Sequence, residues 1–129
     1  MIPVSIQKNI FKQLVEWTKA EKPNEAAGYL FVHNTLFKKI ITDNKSVVHF
    51  FDDNIEKLLR MVEKYGYPTA IFHSHPCSAV PSGTDYNYMI TTIPFFKCVW
   101  LIMSSKMELR AWSLDRFDRV KEIEVEIIE

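Results

Sequence analysis

Residues Thr69 to His75, Thr-Ala-Ile-Phe-His-Ser-His, are apolar through the middle and close on two imidazoles. A run this short, with β-branched and aromatic side chains, reads as a buried strand, and a buried strand must be covered by other layers. The rest of the chain has to supply that cover.

Signals on both sides can do so. Ile6, Ile10, Phe11, Leu14 and Val15 recur at helical spacing after Pro3 and Ser5, with Pro23 as a stop, and predict an amphipathic helix over about residues 5–20. Ala26 to Val32 and Leu36 to Thr42 are compact apolar runs around His33-Asn34-Thr35, which predicts two paired strands, and Val47 to Phe51 predicts a third. Asp53 and Glu56 form a capping box ahead of Ile55, Leu58, Leu59, Val62 and Tyr65, and Gly66 supplies a stop, so a second helix of about three turns follows. Beyond the buried strand, Pro76 to Gly83 is a loop, and Ser82 with Asp85 three residues later opens a short helix through about Thr91. Phe95 to Met103 and Met107 to Leu114 predict a hairpin around Ser104-Ser105-Lys106. Lys121 to Glu129 alternates acidic and apolar residues at the period of one edge strand. The order αβββαβαβββ implies an α/β fold, a mixed β-sheet flanked by helices, in a single domain over residues 1–129.

Composition narrows the function. The chain has 129 residues, 47% of them hydrophobic, enough for one core. Its 16 basic residues balance 16 acidic ones, which argues against a protein that lives by binding nucleic acid or anionic membranes. The longest apolar run, Cys98 to Met103, is far below the roughly 20 residues of a membrane span. A soluble, cytoplasmic protein with Cys77 and Cys98 as free thiols is expected. His33 and His49 read as structural, and the aromatic group Tyr86, Tyr88, Phe95, Phe96, Trp100 and Trp112 reads chiefly as core.

The chemistry starts at His73 and His75. Residues i and i+2 of a strand share a face, so both imidazoles can address one point while Ser74 faces away. Two imidazoles in an apolar strand need partners, and a metal supplies them. A catalytic zinc takes three protein ligands, and Asp85 is the nearest carboxylate downstream. Hydrolysis at such a centre also needs a free carboxylate as base, for which Glu25 is the candidate because it directly precedes a strand that can lie beside the histidines. Ser82 can donate to a developing oxyanion. The bland alternative for Ser82 and Asp85 is a capping box alone. Cys77, two residues past His75, is set aside because three ligands exist without it.

These residues resemble the JAMM/MPN+ metalloproteases. The shared pattern is a Glu near a strand start, here Pro23-Asn24-Glu25-Ala26-Ala27-Gly28, then His73-Ser74-His75-Pro76, then Ser82-Gly83-Thr84-Asp85. The resemblance spans about residues 3–115. Six residues separate His75 from Ser82, where the family usually has seven. It implies a cytidine-deaminase-like fold, zinc held by His73, His75 and Asp85, Glu25 as general base and Ser82 as oxyanion donor.

By that resemblance the expected activity is a zinc isopeptidase that cuts a ubiquitin-like modifier's C-terminal Gly from a lysine amine. Two alternatives stand beside it: a peptidase of the same type that processes a sulfur-carrier protein or a peptide, and a non-catalytic MPN-type binding scaffold. The partners implied are modifier conjugates or a carrier protein. Self-association is suggested only by the C-terminal edge, and its acidic side chains argue against it.

Overall fold

The computed structural model describes residues 3–22, 26–31, 35–39, 55–75, 78–92 and 99–129. The elements are β1 (Val4–Gln7), α1 (Lys8–Glu21), β2 (Ala27–Phe31), β3 (Thr35–Lys39), α2 (Ile55–Tyr65), β4 (Ala70–Ser74), α3 (Gly83–Thr92), β5 (Val99–Met103), β6 (Leu109–Leu114), β7 (Val120–Ile123) and β8 (Val125–Ile128). Six strands form one sheet in the order β3-β2-β4-β5-β6-β7, and β1 and β8 form a separate pair. In the large sheet β4 and β5 are parallel and the other neighbours antiparallel, so the sheet is mixed, as expected.

The buried strand β4 sits inside this sheet, between β2 and β5, with every residue buried. Its alternation divides the core. Ala70 and Phe72 face Ile10, Leu14 and Trp17 of α1, with the Trp17 and Phe72 rings 5.3 Å apart. Ile71 faces the other way, into a cluster with Tyr29, Phe31, Met89 and Trp100 that Met61, Val62 and Tyr65 of α2 cover. With one helix on one face and two on the other, a strand apolar on both sides is the stable choice. His73 follows Ile71 by two and therefore lies on the α2 and α3 side.

The hairpins and helices fall close to their predicted places. β2 and β3 pair antiparallel, as do β5 and β6. The β5–β6 turn is tied by Ser104, whose Oγ accepts from Lys106 N at 3.2 Å and Glu108 N at 3.1 Å, with Met107 at φ 63°. α2 ends at Gly66, whose φ of +83° and N–H bond to Val62 O at 2.8 Å make it the left-handed stop expected there. The predicted strand Val47 to Phe51, the caps at Asp53 and Glu56, and His33, His49, Cys77 and Cys98 lie at or beside positions outside the description: Glu56 belongs to α2 with its side chain undescribed, and the others are outside the described residues.

Two predictions are corrected. The first helix begins at Lys8, because Val4–Gln7 is extended and pairs in parallel with Val125–Ile128, anchored by Val4 N to Glu124 O at 2.8 Å. Ile6 is still buried, at 3% exposure, but as a strand residue. The C-terminal segment is two strands rather than one: β7 completes the large sheet, the chain turns at Glu124, and β8 pairs with β1. Hence Ile123 is buried while Ile127 is exposed, which a single alternating strand would not give. Among the described residues no helix is long and apolar enough to cross a membrane.

Candidate metal centre

His73 is the fourth residue of β4 and wholly buried, and its ring stands edge-on to Trp100 of the neighbouring strand at 5.8 Å. His75 lies just past the strand end, held there by His75 N to Met103 O at 2.9 Å. Period-2 alternation carries both rings to one side, with centroids 4.7 Å and Nε2 atoms 2.9 Å apart. Between them in sequence, Ser74 turns to the opposite side, where its Oγ accepts from Ala26 N at 2.8 Å and its own N–H donates to Ala26 O at 2.9 Å. Those two bonds lock β4 to the start of β2, where Ala27 is the register partner of His73.

The third group arrives from α3. Asp85 is 3% exposed, with Oδ1 3.2 Å from His73 Nε2 and Oδ2 2.9 Å from His75 Nε2. It is also half of a capping box, since Oδ2 accepts from Ser82 N at 2.9 Å and Asp85 N donates to Ser82 Oγ at 3.1 Å. The capping reading of these two residues is therefore realised, and the same carboxylate also reaches both histidines. The six-residue connection from His75 to Ser82 is long enough for this. Its described end is pinned by Trp112 Nε1, which donates to Ala79 O at 2.9 Å.

One donor atom from each of His73, His75 and Asp85 lies within 4.8 Å of the other two, a spacing that can hold a metal ion. The measured separations of 2.9 to 3.2 Å approach the ~3.3 Å between donors of a tetrahedral zinc with bonds of about 2.0–2.1 Å. His75 Nδ1 donates to Ser78 O at 3.1 Å, which turns Nε2 toward the cluster. Two ring nitrogens and two carboxylate oxygens converging in a water-poor niche repel unless protons or a cation lie among them. Asp85 responds accordingly. Burial alone would raise its pKa, but hydrogen bonds from His73 and His75, the charge of His73 and the Ser82 amide outweigh it and hold the carboxyl well below the ordinary range. His73 Nδ1 is buried without a hydrogen-bond partner among the described residues, so the ring's polar engagement runs through Nε2.

Ser82 is exposed at the mouth of this group. Glu25 lies outside the described residues. Three supporting residues were not legible in the sequence: Ser78, which acts through its backbone carbonyl; Ser74, whose partner is a main-chain amide; and Trp112, bonded to a carbonyl 33 positions away. No side-chain spacing signals such bonds. Trp100, expected as core, is core and also borders His73.

This chain belongs to the family of prokaryotic homologues of the JAB domain, whose profile matches residues 7–115. It is 29% identical over 108 residues to a desampylase from Pyrococcus furiosus, an alignment covering 78% of this chain and 74% of that protein. In structure it is similar to a protein from Desulfitobacterium hafniense solved in solution, with a TM-score of 0.68 and 20% identity over 98% of this chain and 93% of the other. A JAB1/MPN domain protein from Archaeoglobus fulgidus superposes with a TM-score of 0.64 and 18% identity, over 99% of this chain and all of that one. A third structure, described as JAMM, a metalloprotease-like zinc site in the proteasome and signalosome, gives 0.60 and 16% over 99% and 100%. The expected JAB/MPN fold is thus observed.

Proposed function

We propose that this chain is a zinc-dependent isopeptidase that hydrolyses the bond between the C-terminal Gly of a ubiquitin-like modifier and a lysine amine. The observation that carries the reading is the convergence of His73, His75 and Asp85 on one buried point, with Ser82 fastened to Asp85 at its rim. His73, His75 and Asp85 would hold the zinc. When bound, the metal supplies Lewis-acid polarisation of a water and of the scissile carbonyl near neutral pH.

The chain's own residues do the remaining work. Glu25 takes the proton of the attacking water and returns it to the departing lysine amine. The backbone supports that role, because the residue that follows Glu25, Ala26, is bonded in both directions to Ser74, between the two histidines. Ser82 keeps its Oγ lone pair engaged by Asp85 N–H, so the hydroxyl proton is available for the carbonyl oxygen as negative charge develops there. The Ser78 carbonyl fixes the His75 ring. Kinship to a protein called a desampylase supports a modifier conjugate as the substrate class.

The direct test is cleavage of a lysine-linked, Gly-Gly-ended modifier conjugate by zinc-loaded protein. Release of intact modifier, abolished by chelation and restored by zinc, is the expected result. A fully loaded preparation that leaves every such conjugate from its own host intact would discard the assignment.

A further inference from the structure

Away from the metal centre, the turn between β6 and β7 is built around one carboxylate. Asp115 Oδ1 accepts from Phe117 N at 2.8 Å and Arg119 N at 3.0 Å, while Oδ2 meets Arg119 Nε at 3.2 Å. Backbone bonds from Asp115 N to Arg119 O and Asp118 N to Asp115 O close the loop, with Asp118 at φ 59°. So many local bonds fix the loop, yet it holds up an apolar ring: Phe117 is 62% exposed. The guanidinium carbons of Arg116 and Arg119 stand 4.9 and 5.0 Å from that ring's centroid. Both guanidiniums stack on the aromatic, which limits the side-chain freedom that a partner would have to freeze.

Beside the turn is a cavity of about 280 Å³ whose lining includes Phe117, Arg116, Arg119 and Lys121. Asp115 also lines it, but that carboxylate is matched by Arg119 and two amides. Arg116 and Lys121 form no ion pair among the described residues, so the cavity lining has two cations in surplus, of which the Asp118 carboxylate in the same turn offsets one, leaving the surface net positive on a chain whose formal net charge is zero. Phenylalanine and arginine are both enriched at protein interfaces relative to the rest of the surface. The surplus charge selects an acidic partner. The turn is also tied to the site: Tyr86, next to Asp85 on α3, donates its hydroxyl to Asp118 O at 2.8 Å.

We propose that the turn of residues 115–119, with Lys121, is the docking surface for an acidic face of the folded modifier protein, a reading that rests on the isopeptidase assignment above. Phe117 supplies the apolar anchor, and Arg116 and Lys121 pair with carboxylates around it. The tether from Tyr86 keeps this surface in fixed relation to the helix that carries Asp85.

The test titrates the host's free Gly-Gly-ended modifier into the full zinc-loaded chain by calorimetry, beside Phe117→Ala, Arg116→Glu and Lys121→Glu, with thermal melts as a check on folding. Each substitution should weaken Kd by about tenfold or more, and raising salt from ~50 to ~200 mM should weaken the unsubstituted pair severalfold. Folded variants with unchanged Kd overturn the proposal. If Phe117→Ala does not fold, the two charge reversals decide alone. A chain that cleaves conjugates while its affinity ignores all three substitutions loses the docking surface and keeps the isopeptidase reading. A chain that binds modifier through this turn but cleaves no conjugate keeps the surface and loses the activity, and one that does neither loses both.

Discussion

Ser82 and Asp85 hold each other at both ends: the amide of Ser82 donates to the Asp85 carboxylate at 2.9 Å, and the amide of Asp85 donates to the Ser82 hydroxyl at 3.1 Å. The same carboxylate meets both histidines. One side chain therefore serves the helix start and the histidine cluster together, so the two sets of contacts cannot be removed independently by truncation.

That coupling separates two substitutions at one position. Asp85→Ala should lose metal and also the bond from the Ser82 amide, one half of the box, lowering stability by about 0.5–2 kcal/mol, the scale of a lost capping bond. Asp85→Asn keeps an amide oxygen that can accept from Ser82 N, so it should retain most of the cap while losing the anionic ligand and tight metal binding. Elemental analysis after zinc loading, and urea unfolding of both metal-free variants, check this. Equal stability of the Ala and Asn forms would mean that the Asp85 half of the box contributes nothing to the fold.

Ser82→Ala removes the other half. Metal content should stay near that of the unsubstituted chain, because all three ligands remain. Turnover should fall by about 10²–10³, the scale of one lost oxyanion donor. A stability loss of about 1 kcal/mol should accompany it from the unpaired Asp85 amide. The measurement is kcat on one conjugate beside zinc content, and unaltered kcat would remove Ser82 from the chemistry.

Much of this was legible because two periodicities coincide with two chemistries. The apolar run ending in His73-Ser74-His75 marks both an interior strand and a pair of rings on one face, and Ser-x-x-Asp marks both a cap and a downstream carboxylate. The misread ends have a common cause. Ile6 fits the helical series with Ile10 and Leu14 equally well as it fits a strand, and the alternation of residues 121–129 runs through Glu124 without a break. What decides both is a pairing between Val4–Gln7 and Val125–Ile128, some 120 positions apart, and local pattern carries no trace of a partner that distant.

Gly66→Ala tests the stop of α2. A Cβ there meets nothing within 4 Å, so space is not the obstacle, but φ at +83° is a conformation that alanine adopts at a cost of roughly 1–2 kcal/mol. The melting temperature should drop by roughly 3–8 °C with metal content unchanged. An unshifted melt would show that the turn relaxes to negative φ without loss.

Glu25→Gln separates base from ligand. The amide is nearly isosteric with the carboxylate but cannot take a proton from water, so turnover should fall by about 10²–10⁴ or more while zinc stays bound. Stability gives an independent readout of that binding: metal at 100 times its Kd raises folding free energy by about 2.7 kcal/mol, so chelation should lower the melting temperature of the Gln variant as much as that of the unsubstituted chain. Asp85→Asn, with no tight site to empty, should show little chelator shift. A Gln variant that behaves like Asp85→Asn would make Glu25 part of the metal's own ligand set, and the division of roles between Glu25 and Asp85 would have to be redrawn.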